Sequence, residues 1–329
     1  MTAVWQQLAP AHAPSARYSV QTCLDPTTGN VILFGGYDDA LGDWQWDTWE
    51  WDGVDWTELF PATTVPTAGT GHTLYQDALG WDGVNEQMML VAKESGGVGF
   101  RFWLFDTATP DWSEITPVTV PVTTGLNHMA RLTWSPDLGA LVLFPGSSDN
   151  AWLWDGTDFT DTGEHVPEPG DGGVAQNVDG AMFVNDPAQH AIVQYGGSTS
   201  SVFHWTGTSL FDGAFTQATP EHNPGARAEM ITQWAAWLSC LRGVAVYGGD
   251  DSSDTTDTTY IYRDVGGGTY DWEDLAPAQH PNAIHQASMT TDRDGHVLLF
   301  GGYDAGLTTV YDETWLLRCG FVPQIYRRR

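Results

Sequence analysis

The side chains best suited to chemistry in this chain are Arg17, His72, His128, Arg227 and His285. Each lies near the start of a first strand in a repeated unit, so five units bring a guanidinium or an imidazole towards one place. In an otherwise acidic chain such a set could gather a small anion or a polar ligand. The plainer role is to pair with neighbouring carboxylates and order the entrance of each unit. Trp44 and Trp46, flanking Gln45, form a second candidate. Exposed indoles stack on sugars or anchor a protein partner, whereas Trp46 at the start of an aromatic strand would simply pack.

Metal and covalent chemistry find less support. Imidazoles on separate units spread too widely for a tight nitrogen-ligand set. The run DDSSDTTD (250–257) lacks the glycine and closing glutamate of a calcium loop, and reads as a solvated acidic loop. Cys23, Cys240 and Cys319 are an odd, sparse set with no C-x-x-C pair, so free thiols are expected. Cys23 and Cys240 both fall just before a first turn, in units that are not neighbours, which excludes a bridge between them. No G-x-S-x-G, H-E-x-x-H or phosphate-loop pattern occurs. The expectation is therefore no catalytic residue, no metal and no cofactor.

The formal net charge of −30, from 12 Lys and Arg against 42 Asp and Glu, repels phosphate backbones and anionic membrane surfaces. Nucleic acid is excluded as a main partner on that ground. The apolar runs are too short to span a bilayer, and MTAVWQQLAPAHAP has neither the basic start nor the apolar stretch of a secretory signal. A cytoplasmic protein, or one assembled into a particle, is expected. Arg327, Arg328 and Arg329 form a basic tail.

The elements that would position these residues come from an internal repeat. An apolar run ending in an aromatic residue and Gly-Gly appears as VILFGGY (31–37), AIVQYGG (191–197), VAVYGGD (244–250) and HVLLFGGY (296–303). MMLVAKE (88–94) and LVLFPGS (141–147) are degenerate copies. The matched residues Phe34, Val91, Phe144, Tyr195, Tyr247 and Phe300 are 51 to 57 residues apart. After each copy come a variable loop, an alternating aromatic strand such as DTWEWD (47–52), an Asp/Gly turn and a Trp-centred strand such as DWTEL (55–59). With a first strand joined by turns such as DPTTGN (25–30), each unit has four strands of hairpin length. The last unit stops at DETWLLRC (312–319), and its missing strand stands at the other end of the chain as VWQQL (4–8). A strand over residues 3–9 would complete the last blade, close a ring and hide its sheet edges.

This phased pattern resembles the kelch repeat over essentially the whole chain, although Ala92, Lys93 and Pro145 replace glycines and unit four lacks the outer Trp. The reading is an all-β, six-bladed kelch-type β-propeller over residues 1–329. It has four antiparallel strands per blade and a C-terminal tail over 320–329. The resemblance implies that the loops after the Gly-Gly strands and the inter-blade linkers share one face. Variable loops on a rigid scaffold are where binding concentrates. A non-catalytic scaffold is therefore expected, offering that face to a protein or glycan and docking into a larger assembly. Its sharper form is an exposed component of a tailed-virus particle. The other reading is a carbohydrate-active enzyme, mutarotase-like or oxidase-like, with its site at the channel mouth. For an oxidase-like site no copper ligand set can be placed.

Overall fold

The computed structural model describes residues 2–62, 66, 77–93, 99–121, 130–145, 150–165, 181–196, 200–206, 214–225, 227, 233–249 and 255–320. Among these no segment is helical, so no helix is long and apolar enough to cross a membrane. Six four-stranded antiparallel sheets account for nearly all of the strand structure. Blade one takes Gln21–Leu24, Val31–Phe34, Thr48–Trp51 and Trp56–Leu59 from axis to rim. Blade two runs from Ala78–Asp82 to Asp111–Ile115, blade three from Arg131–Ser135 to Phe159–His165, and blade four from Ala181–Asp186 to Ala214–Ala218. Blade five runs from Ala235–Leu238 to Thr269–Asp274. In blade six, Ser288–Thr291, Val297–Phe300 and Thr314–Gly320 are joined at the rim by the N-terminal strand Thr2–Gln7. That strand starts and ends slightly earlier than expected, and Gly320 belongs to its partner. Trp5 sits opposite Leu317. Each innermost strand touches the next in a closed cycle, so the molecule is a six-bladed β-propeller.

The second strands explain why the sequence reads as near-continuous apolar runs. Side chains alternate across a strand, and both faces of a blade are covered by neighbours. Val31 and Leu33 enter the wedge between blades six and one, while Ile32 and Phe34 enter the wedge between blades one and two. The core is accordingly six apolar wedges, one at each junction of the ring.

Indole N–H groups set the register between blades. The fourth-strand Trp of one blade donates to the threonine that opens the third strand of the blade before it. Trp56 reaches Thr314 at 3.0 Å, Trp112 reaches Thr48 at 3.0 Å and Trp5 reaches Thr259 at 2.9 Å. All six partners are buried, so each bond removes a polar atom that would otherwise be costly. Blade three, like blade four, lacks the outer Trp. Its Phe159 packs instead on Phe102 of blade two, with centroids 4.9 Å apart.

The cysteines depart from expectation. Cys240, in the first turn of blade five, is bonded to Cys319 in the third strand of blade six, with Cα atoms 6.2 Å apart. Only Cys23 is free, and burial pushes its thiol up to about 12, with nearby Asp25 adding to the effect. The expectation of free thiols failed because Cys240 and Cys319 occupy different strand positions, which ring neighbours nevertheless bring together.

Candidate functional site: the loop face at blades six and one

The Gly-Gly pairs exist to let the linkers pass. The chain entering blade one crosses blade six at Gly301–Gly302, where Gly302 N–H donates to the Arg17 carbonyl at 3.0 Å. Gly301 has φ of 74°, and a Cβ there would lie 2.5 Å from that same carbonyl oxygen. The chain entering blade six crosses Gly248–Gly249 in the same way, through the Ile284 carbonyl. This crossing fixes where the candidate cations stand.

Arg17 is buried and fully engaged. Its Nη1 donates to the Gly35 carbonyl and Asp47 Oδ1, its Nη2 to Asp47 Oδ2 and Ser15 Oγ, and its Nε to the Ser15 carbonyl. A guanidinium has five N–H donors, and here each has a partner within the protein. Arg227 donates to the hydroxyls of Thr256 and Thr258 and lies 6.0 Å from the centroid of Tyr260. His285 stands one residue later in register, because it pairs with Tyr303 as Tyr18 pairs with Tyr37, and Ile284 takes the place of Arg17. The His285 ring is buried against Tyr303 with centroids 4.0 Å apart. His72, His128 and residues 250–254 of the acidic run lie outside the described residues.

What the loop face does gather is a string of rings. From His285 and Tyr303 in blade six it passes to Tyr18, to Tyr37 and to Trp44 in blade one. Successive centroids are 4.0, 4.7, 5.3 and 5.2 Å apart. A two-residue-stranded hairpin, Tyr37–Asp38 with Asp43–Trp44, holds the outer end. Tyr18, Tyr37 and Trp44 are half-buried, each presenting part of a ring to solvent. Trp46 is also half-buried and, with Trp44, leans on the apolar wedge between blades one and two. The two indoles are thus neither free anchors nor simple core. Exposed Asp39 and Asp43 give this edge a negative border. The sequence singled out Trp44 but missed Tyr18, Tyr37 and Tyr303. The signal that could have found Tyr37 and Tyr303 was the Tyr following Gly-Gly in GGY at 35–37 and 301–303; Tyr18, in ARYS, carries no such mark.

Carboxylates elsewhere serve the fold. His12 N–H and ring Nδ1 both bind Asp55 at 2.8 Å, and Asp271 holds the amide and ring of His222 at 2.8 and 2.6 Å. Thr119 N–H binds Asp158 at 2.7 Å. These ties pin a linker to the aspartate that precedes the outer aromatic. The amides of His12 and Thr119 hold the Asp55 and Asp158 carboxyls below the usual carboxylate pKa; burial opposes the same shift at Asp271, where the His222 bonds prevail. Glu221, His222 and Asp271 bring ligand atoms within 4.8 Å of one another, as do Asp292, Asp294 and His296. The first group is the linker tie seen also at His12. In the second, Asp292 accepts the amides of Asp294 and His296 within its own turn. Neither needs an ion to explain it.

No protein-family model matches the chain, and no curated protein sequence is similar to it at a significant level. The architecture therefore stands on its own strands: a six-bladed β-propeller, a fold commonly used as a protein-binding scaffold.

Proposed function

We propose that the protein is a non-catalytic kelch-type scaffold that receives a protein or glycan partner on its loop face, at the aromatic string from Tyr303 to Trp44. The observation that carries this reading is the contrast between that string and Arg17. Arg17 has all five donors engaged internally and is buried, while Tyr18, Tyr37 and Trp44 are only half-buried. Stacked aromatic rings supply rigid contact area at small entropic cost and dominate interface energetics. Asp39 and Asp43 at the border favour a basic protein surface or an uncharged glycan over an anionic one. An exposed place on a tailed-virus particle fits such a surface, with the high net negative charge keeping the copies apart. The full engagement of Arg17 weighs against a sugar-transforming site at the channel mouth.

A glycan array and a pull-down with the intact protein test the reading. Tyr37→Ala and Trp44→Ala should each weaken the captured interaction at least about thirtyfold, the equivalent of roughly 2 kcal/mol for an aromatic anchor. The melting temperature should stay near the parent's in Tyr37→Ala and fall more in Trp44→Ala, whose indole also packs on the wedge between blades one and two. Sugar anomerisation or oxidation by the purified protein, lost in Arg227→Ala alone, would replace the scaffold with an enzyme.

A further inference from the structure

On the opposite face, where the first turns of the blades converge, the axial channel widens into a cavity of about 330 Å³. All six innermost strands line it. Its rim is one equivalent position at or next to the end of each innermost strand: Leu24, Trp81, Trp134, Asn185, Trp237 and Thr291. Phe183 and Met289 lie deeper. Although the chain carries a formal net charge of −30, no lining residue is charged. Trp134 is seated over Gly83, where a Cβ would collide with the indole, so its ring is fixed in place. Trp134 and Trp237 are half-buried, each leaving part of an indole accessible. Among the described residues the Asn185 carboxamide makes no hydrogen bond, and its oxygen is shut away from solvent. The carboxamide nitrogen is not closed off in this way, and it is the donor that a ligand can satisfy.

We propose that this end of the axial cavity binds a small uncharged molecule with a planar ring system and one hydrogen-bonding group. The rings lie against Trp134 or Trp237, and the polar group accepts a hydrogen bond from Asn185 Nδ2. A dry cavity of about 150 Å³ accommodates benzene, so this volume suits two fused rings. A charged ligand would lose hydration with no counter-charge to replace it. The site is on the face away from the aromatic string and is independent of the partner proposed there.

Ligand-observed NMR titration of the intact protein decides the matter, using 2-naphthol, naphthalene, 2-naphthoate and a 2-naphthyl trimethylammonium salt. The expected result is saturable binding of 2-naphthol at one site. Both ions should bind at least about tenfold more weakly, because desolvating an unpaired charge is costly. Asn185→Leu should weaken 2-naphthol about fivefold, the scale of one hydrogen bond, and leave naphthalene unchanged. Trp237→Ala should weaken both. Absence of saturable 2-naphthol binding, or equal binding of either ion, overturns the proposal with the parent protein alone, whether or not the variants fold. Unchanged 2-naphthol affinity in either folded variant overturns it as well.

Discussion

The junctions on either side of blade six differ in construction from those on either side of blade four. Between blades five and six and between six and one, a buried indole meets a buried threonine, and the Cys240–Cys319 bond adds a covalent tie. Around blade four the same places are filled without regard to the indole. Trp272 of blade five faces the position where blade four has Val202 in place of threonine, and its Nε1 is buried with no partner. Trp154 of blade three donates to Asp82 in the first turn of blade two at 2.7 Å. Its counterpart Trp205 in blade four packs with Leu138 and Ala140 of blade three, and among the described residues its buried Nε1 too has no partner. The difference shows that the unit of stability in this ring is the cross-blade pair. Where both members suit each other, as in Trp–Thr or Phe159–Phe102, the wedge is satisfied; where one member drifts, an orphan remains.

The largest effect should come from breaking the better-built side. Removing residues 2–7 strips Trp5 from the wedge between blades five and six and exposes the edge strand Thr314–Gly320. Loss of a buried Trp alone costs about 3–5 kcal/mol, so thermal melting of the truncated protein should show partial unfolding or aggregation. A melting curve like the parent's would remove blade six from the account. Next, Cys319→Ser opens a link between residues 79 apart in sequence. The loop-closure estimate for that span is about 4–5 kcal/mol as an upper figure, measurable by urea unfolding. Peptide mapping without reductant should find Cys240 joined to Cys319 and Cys23 free.

A pH experiment probes the other side. His204 of blade four bonds the Tyr262 hydroxyl at 2.8 Å, and burial pushes its imidazole down to about 4. The folded state therefore prefers the neutral ring. Stability from this group is present above the ordinary value near 6.5 and is lost as pH falls from there towards 4. Between pH 7 and 5 the parent should lose about 2 kcal/mol more than His204→Gln in urea unfolding. An equal loss in both would show that this junction does not sense protonation. The smallest effect should be a gain: Val202→Thr supplies the hydroxyl that Trp272 lacks and should stabilise by about 1 kcal/mol, whereas Thr314→Val should cost about as much.

The ring itself was readable in the chain because Gly-Gly and the Trp-centred strand recur in phase, and because VWQQL at one end completes what stops at DETWLLRC. Each of these signals reflects a local need: a linker crossing at Gly301, or an indole reaching a threonine. Features that arise between blades were not readable. Cys240 and Cys319 lie at different strand positions, so phase analysis could not pair them. Tyr18 and Tyr303 meet only because the first blade adjoins the last. Leu24, Trp81, Trp134, Asn185, Trp237 and Thr291 share a position but not a chemistry, so the cavity left no repeated residue type to notice. Arg17 and His285 looked equivalent from spacing, and a one-residue shift in the linker separates them.

Closure of the ring by the N-terminal strand underlies every junction compared above, and amide hydrogen exchange tests it directly. In the intact protein the alternate amides of Ala3 to Gln7 that face the neighbouring strand should be protected to the same degree as those of Trp315 to Cys319, with which these residues pair. Exchange of every amide from Ala3 to Gln7 at the rate of a free tail, while Trp315 to Cys319 stay protected, would contradict the account.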